Sequence, residues 1–252
     1  LEKLNAEQRM AVTKAEHLSQ TRTRTLTTAS HDLRQPLHAL SVYSAVLASN
    51  PTPETLPEVA HNIDRLVRSL GDLLHGLLDL SRLSADYYVP ERQRISLDRL
   101  VESICHEYQS DAENKQLGFI LDLGHVRLFD DPIAIVRMTR NVVDNAFKYT
   151  ERGEVRICTY STDNSAILTV EDTGQGIPLD EQSRVFEEFY QLDNAERDPY
   201  NKGVGLGLAI VQRLCDLIAA QISLDSEPGA GSRFSVTFNT VVTGSSPQNI
   251  TE

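Results

Sequence analysis

Residues Arg140 to Thr150 read RNVVDNAFKYT, and the secondary structure assigned to this stretch settles the architecture around it. Asp131 ahead of Pro132 offers an N-cap followed by a first-turn proline, so the spacing predicts a helix over 132–149. On that helix Asn141, Asn145 and Lys148 are spaced four and three apart and share one stripe, while Val136, Val143 and Phe147 form an apolar stripe elsewhere. Two amides and an ammonium in a row suit a phosphate with a divalent cation. An amide oxygen is a hard ligand for Mg²⁺, and lysine is a point charge for phosphate oxygens. A solvated helix face would carry the same stripe, so the reading needs support from elsewhere in the chain.

Two glycine-rich stretches downstream supply it. Val170–Pro178, VEDTGQGIP, is an apolar strand ending in an acid and then Gly174 and Gly176, which permit close backbone approach or positive φ. A carboxylate at such a strand end can accept a hydrogen bond from an exocyclic amine such as that of adenine, and Asp172 is placed for it; a Gly-rich turn with a solvated acid is the plainer alternative. Lys202–Ile210, KGVGLGLAI, sets Gly203, Gly205 and Gly207 at alternate positions running into an apolar helix, whose unsatisfied N–H groups favour anions. It lacks the lysine and hydroxyl of a P-loop and follows no strand, which sets aside both the P-loop and the dinucleotide fingerprint. The long segment from Val185 to Asn201, with Phe186, Phe189 and Tyr190, reads as a lid anchored by aromatics or as an ordinary surface loop.

Around these motifs the expected elements are a helix over 97–114, strands near 119–123, 154–161, 166–171, 221–225 and 233–238, and a helix near 205–220. That order is α+β in character. Upstream of a boundary near residues 86 to 95 the texture is helical. Leu4, Ala11 and Leu18 are seven apart, and after one slip of register Leu26, Leu33, Leu40 and Leu47 resume the period. Asn50–Pro57, NPTPETLP, ends that helix, and Ile63, Leu66, Leu70, Leu73, Leu77 and Leu80 open a second, thickened by Val67, Leu74 and Leu78. Two helices with apolar faces this wide cannot bury them alone; two such hairpins pair economically into a four-helix bundle, which predicts a homodimer.

Composition narrows the function. Of 252 residues 24 are basic and 36 acidic, a net charge of −12 that opposes a broad nucleic-acid-tracking surface. The three cysteines are odd in number and far apart, writing neither a disulfide framework nor a zinc motif and favouring a reducing, cytoplasmic compartment. There is no apolar run of membrane-spanning length, and Leu1 begins no signal peptide, so an internal stretch of a longer chain is expected, with any membrane tether upstream of it.

A last motif lies inside the first helix: Ala29–Leu40, ASHDLRQPLHAL. His31 stands two residues before the seam residue Leu33, about 200° round the helix, and so faces solvent. Asp32 beside it can hold the Nδ1–H and leave the Nε2 lone pair for attack on phosphorus, if both side chains bend toward each other.

Taken together and in this order, the motifs resemble those of the sensor histidine kinases of two-component signalling. SHDLRQPL is similar to the phosphoacceptor box, NVVDNAFKYT to the N box, EDTGQGIP to the first glycine box, VFEEFYQ to the phenylalanine box and GVGLGLAI to the second glycine box. The resemblance implies a fold: an α-helical hairpin, dimeric as a four-helix bundle, followed by an α+β two-layer sandwich that binds ATP. The domains expected are 1–90 for the coiled coil and the dimerisation and phosphotransfer hairpin, 91–242 for the ATP-binding domain, and a mobile tail over 243–252.

The resemblance also implies roles. His31 would be phosphorylated from Mg-ATP with Asp32 as general base, and a receiver-domain aspartate of a response regulator, separate or fused after residue 252, would take the phosphoryl group. Asn145 would ligate Mg²⁺, with Asn141 and Lys148 on the triphosphate and Tyr149 near the nucleotide. Asp172 would bind the adenine amine, with Gly174 and Gly176 shaping its surroundings and Lys202, Gly203, Gly205 and Gly207 flanking the phosphates. The chain departs from the family at Asp32, commonly Glu, and at Gln35, where Thr or Asn usually positions water for dephosphorylating the partner. Two rivals stay in view: an ATP-hydrolysing machine on the same nucleotide fold, which would carry Glu where Asn141 stands, and a non-catalytic dimeric scaffold.

Overall fold

The structure, a computed structural model, describes residues 33–49, 52–84, 88–192 and 205–239. Contacts among them divide the chain into two compact units, with crossings at Asp79/Leu80, Glu187/Glu188 and Leu206/Gly207.

The first unit contains helix α1, residues 33–48, and most of helix α2, Leu56–Ser84. The heptads upstream of Leu33, with their slip of register, lie outside the described residues. Between the helices the Thr55 hydroxyl donates to the Thr52 carbonyl at 2.9 Å and its own carbonyl accepts the Val59 N–H at 3.1 Å, which starts α2 with Pro57 in its first turn. Val59, Leu66, Leu73 and Leu80, seven apart, are buried, with Ile63, Leu70 and Leu77 half-buried between them. Leu37, Val42 and Leu47 on α1 and Val67, Leu74 and Leu78 on α2 stay exposed in the single chain.

The second unit is built on α5, Pro132–Tyr149. Asp131 at its N-cap uses both carboxylate oxygens: Oδ1 accepts the Ile133 and Ala134 N–H groups at 2.8 and 3.2 Å, and Oδ2 accepts the Tyr88 hydroxyl and the Glu91 N–H, both at 2.9 Å. One side chain therefore starts the helix and holds the chain that enters the unit. Strands β2 (Gly118–Leu123), β4 (Glu154–Ser161), β5 (Ala166–Asp172), β6 (Gln221–Glu227) and β7 (Gly231–Phe238) form a sheet of order β2-β4-β5-β7-β6, antiparallel except for β2 with β4. The parallel pair follows from the crossover through α5, which returns the chain along the same direction. α3 (Leu97–Cys105), α5 and α6 (Gly207–Ile218) pack on one another and on this sheet, burying Ile135, Met138, Val143, Leu168, Leu214 and Phe238. The opposite face is polar: Arg156, Glu171, Arg233 and Asp225 lie in register across four strands, and the Arg233 Nε donates to Glu171 at 2.9 Å. A sheet with one packed and one wet face is the two-layer sandwich expected from the sequence.

Four details differ from the sequence expectation. Strands β1 (Gln93–Ser96) and β3 (Arg127–Asp130) pair as a small second sheet that the pattern does not announce. The helix expected over 97–114 is α3 followed by a 3₁₀ turn at His106–Tyr108 and α4, Gln109–Lys115. α6 starts at Gly207, because Gly205 at φ +73° cannot belong to a right-handed helix. It stops at Ile218, and Ala219 follows at φ +60°. No helix among the described residues is long and apolar enough to cross a membrane.

Candidate functional site

α5 turns three faces in three directions. Ile135, Met138, Val142, Val143 and Ala146 are buried in the core, while Asn141, Asn145 and Lys148 are half-buried along one edge. The Asn141 Nδ2 donates to the Arg137 carbonyl at 2.8 Å, one turn back, and this turns its Oδ1 toward the start of α6. A Cβ added at Gly207 would lie 3.0 Å from that Oδ1 and 3.9 Å from the Asn145 Nδ2, so the absence of a side chain lets the N-terminus of α6 close over both amides. Two stretches 62 or more residues apart in sequence are thereby joined: a pair of amides and a helix N-terminus whose N–H groups favour anions. Lys148 holds its Nζ 5.4 Å from the centroid of the Tyr149 ring.

The C-terminal end of α5 meets the other glycine-rich loop. A Cβ on Gly174 would run into the Tyr149 carbonyl oxygen, and one on Gly176, at φ +70°, into the Glu227 carbonyl. Asp172, at the end of β5, is 9% exposed and accepts the Gly174 N–H at 2.8 Å and the Ser232 N–H. Burial raises its pKa above the usual aspartate range, and the two backbone donors pull the other way. The loop beyond it is pinned by the Gln182 Nε2, which donates to the Ile177 and Ser226 carbonyls at 3.0 and 2.7 Å.

The second unit thus brings together Asn141, Asn145, Lys148, Tyr149, Asp172, Gly174, Gly176 and Gly207. In the first unit Gln35 is exposed on α1, and Gly205 packs against Phe189 and Tyr190, with the Phe189 N–H donating to the Gly205 carbonyl at 2.9 Å. His31, Asp32, Lys202 and Gly203 lie outside the described residues.

Sequence reasoning missed Thr150, whose hydroxyl is fully buried without a hydrogen-bond partner among the described residues. It lies beside Tyr149 where α5 meets the Asp172 loop, and its only signal was its place directly after the helix. Cysteine chemistry is set aside by burial, which pushes Cys105 and Cys215 up to about 12.

The residues present fit a magnesium nucleotide. The described residues hold no cluster of three or more His, Cys, Asp or Glu that would cage a metal. Mg²⁺ does not need one, because it takes one or two protein oxygens and completes its shell with phosphates and water. The close backbone approach at Gly174 and Gly207 sets the Asp172 carboxylate at one end of α5 and the α6 N-terminus against the amides along its edge, an acceptor for a base amine and N–H groups for phosphates.

Comparison with known proteins agrees with this geometry. Residues 21–86 match the family model for the His Kinase A (phospho-acceptor) domain, and residues 130–241 that for the histidine kinase-, DNA gyrase B-, and HSP90-like ATPase. The sensor histidine kinase RcsC of Escherichia coli is 31% identical over 232 residues, 88% of this chain and 24% of that protein. The sensor-like histidine kinase SenX3 of Mycolicibacterium smegmatis is 34% identical over 211 residues, 82% of this chain and 54% of that protein. The chain therefore spans about a quarter to a half of the length of these relatives. The crystal structure of histidine kinase ThkA in complex with response regulator protein TrrA shares the fold, with a TM-score of 0.71, 18% identity and coverage of 90% of this chain and 66% of that one. With a phospho-acceptor helical module followed by an ATPase-type module of this geometry, the chain belongs to the sensor histidine kinases of two-component signalling.

Proposed function

We propose that this chain transfers the γ-phosphoryl group of Mg-ATP to His31 and passes it to a receiver-domain aspartate. The observation that carries the reading is the amide at position 141. Four residues before Asn145, it is committed through its Nδ2 to the Arg137 carbonyl, and an amide cannot take a proton from water at neutral pH. Without a base there, hydrolysis loses its driving group and transfer to an imidazole is favoured.

The Asn145 oxygen would hold Mg²⁺, which when bound would supply charge neutralisation across the phosphates. Asn141 and Lys148 orient the triphosphate, the N-terminus of α6 at Gly207 faces its anionic oxygens, and Gly203, Gly205 and Lys202 flank it. Asp172 accepts from the adenine amine, with Gly174 and Gly176 giving the base its approach and Tyr149 beside it. The Nε2 lone pair of His31 attacks the γ-phosphorus in line, the bond to the β,γ-bridging oxygen breaks, and ADP departs. Asp32 holds and then takes the Nδ1 proton as the ring gains charge.

Residues 1–90 are proposed as the dimerisation and phosphotransfer part, 91–242 as the ATP-binding part and 243–252 as a tail. The exposed Leu37, Leu47, Val67, Leu74 and Leu78 support a second copy of the chain as the partner that covers them. The ThkA complex is with a response regulator, which supports such a regulator as acceptor here.

Incubation with Mg-ATP labelled in the γ-phosphate tests the proposal: acid-labile, alkali-stable label on His31 is expected. Free phosphate without labelled protein would favour the hydrolytic rival, and neither product would favour a scaffold.

Gln35, exposed on α1 and four residues after His31 in sequence, gives a second test. An amide three bonds long places its polar atoms farther from the helix than the Thr or Asn usual there. Gln35→Thr should raise dephosphorylation of the phosphorylated partner about tenfold, equivalent to ~1.4 kcal/mol of barrier, with autophosphorylation unchanged; an unchanged dephosphorylation rate in a discharge assay counts against it.

A further inference from the structure

The break between α3 and α4 faces α5 and ties it down. Glu107, in the 3₁₀ turn, receives both terminal nitrogens of Arg140, at 2.7 and 2.6 Å. The neighbouring Tyr108 donates its hydroxyl to Asp144 Oδ1 at 2.6 Å while its ring stacks on Phe147, centroids 5.2 Å apart. At the end of α4, the Lys115 Nζ donates to the Phe147 carbonyl at 2.6 Å, taking up an acceptor in the last turn of α5. These contacts fall on residues 140, 144 and 147, each one position before Asn141, Asn145 and Lys148.

At about 100° per residue, the tethered positions occupy a sector of about 60°, and the amide and lysine positions a sector centred about 100° further round. The core face lies beyond, so the helix is gripped on one flank, packed on another and turns its amides to the N-terminus of α6 on the third. Apolar packing alone fixes the rotation of a helix loosely, because a slightly turned stripe still buries its area. Directional hydrogen bonds at three successive turns do not tolerate such turning. The geometry also explains the 3₁₀ turn: with 3.0 residues per turn it swings Glu107 and Tyr108 out of the line of α3 and onto α5.

We propose that Glu107, Tyr108 and Lys115 are positioning residues that set the rotation of α5 and so aim the Asn145 oxygen at the metal. They touch no nucleotide and act through the helix. The inference rests on the reading of Asn145 as the Mg²⁺ ligand, and its test separates the two.

In the full chain, the affinity for the β,γ-imido analogue of ATP is measured with Mg²⁺ and with EDTA, and the gain in affinity due to the metal is the readout. Tyr108→Phe keeps the ring stack and removes the hydroxyl. Combined with Glu107→Gln it should shrink the metal-dependent gain about tenfold while leaving the EDTA affinity, set at the Asp172 end, within a factor of about two. Asp144→Ala should act in the same direction, and Asp144→Asn, which keeps an acceptor for Tyr108, should restore most of the gain. A purely structural tether would lower the melting temperature and move both affinities together, or neither; either result overturns the proposal. If Asn145→Ala itself leaves the metal-dependent gain intact, the reading of Asn145 fails and takes the positioning role with it. If Asn145→Ala removes the gain while the strap variants do not alter it, the strap inference alone is overturned.

Discussion

Asn145→Ala should abolish labelling of His31 from γ-labelled Mg-ATP, by a factor on the order of 1,000 in rate, or ~4 kcal/mol of barrier, while the protein stays folded. Asn145 sits inside α5, where alanine is the better helix former, and it is half-buried rather than part of the packed face. The substitution therefore removes no core contact of the kind that Val142, Val143 or Ala146 make. It removes the amide that stands beside Asn141 under the N-terminus of α6, and with it the oxygen proposed to hold the metal. Phosphoryl transfer offers the protein little covalent chemistry, so losing the metal's hold on the leaving oxygens removes most of what the site contributes. Asn145→Asp, which restores an oxygen and adds a charge, should recover part of the rate. Labelling of Asn145→Ala within a few-fold of the parent chain, with an unchanged melting curve, would remove Asn145 from the mechanism.

The uneven legibility of the fold has physical reasons. α5 could be read to the residue because Asp131, Pro132 and an 18-residue stripe state the same thing three times over. β1 and β3 could not: QRIS and RLFD are four residues each, and each turns only one large apolar side chain, Ile95 or Leu128, fully into the core. Two points cannot establish an alternation. The break at His106–Tyr108 was equally hidden, since HEY contains no proline or glycine; what breaks the helix is the tethering of Glu107 and Tyr108 to Arg140 and Asp144, more than thirty residues away. The same division runs through the site. Asn141, Asn145 and Asp172 could be named from local pattern, but the packing of Gly207 on the two amides and of Gly174 on the Tyr149 carbonyl is a product of the sheet and the helix layer. Thr150 escaped because a buried hydroxyl without a partner leaves no trace in a sequence.

Asp172→Asn should weaken ATP binding about 100-fold, or ~2.7 kcal/mol, and narrow the preference for ATP over GTP, with the melting temperature little changed. The side chain already faces two donors, the N–H groups of Gly174 and Ser232, and the adenine amine would be a third. A carboxylate has lone pairs for all three on two oxygens, whereas an amide has one oxygen and turns an NH₂ toward at least one donor. Guanine has a carbonyl where adenine has its amine. The native carboxylate repels that carbonyl, and the Asn NH₂ would donate to it, so the loss should be smaller for GTP in a competition measurement. The acid's own titration follows the same logic. Because burial raises the folded-state pKa above the unfolded value, the folded protein holds the proton more tightly; stability from this group is lost as pH rises from the unfolded pKa through the folded one, so the charged form costs stability at neutral pH. Asn carries no charge to desolvate, which offsets its mismatched donor and keeps the melting temperature near that of the parent. Protonation places a donor opposite the amine, so ATP affinity of the parent chain should fall on acidification at a higher pH than an ordinary aspartate would dictate. Asp172→Asn should lose that dependence; an identical acid limb in both proteins would mean that another group reads the base.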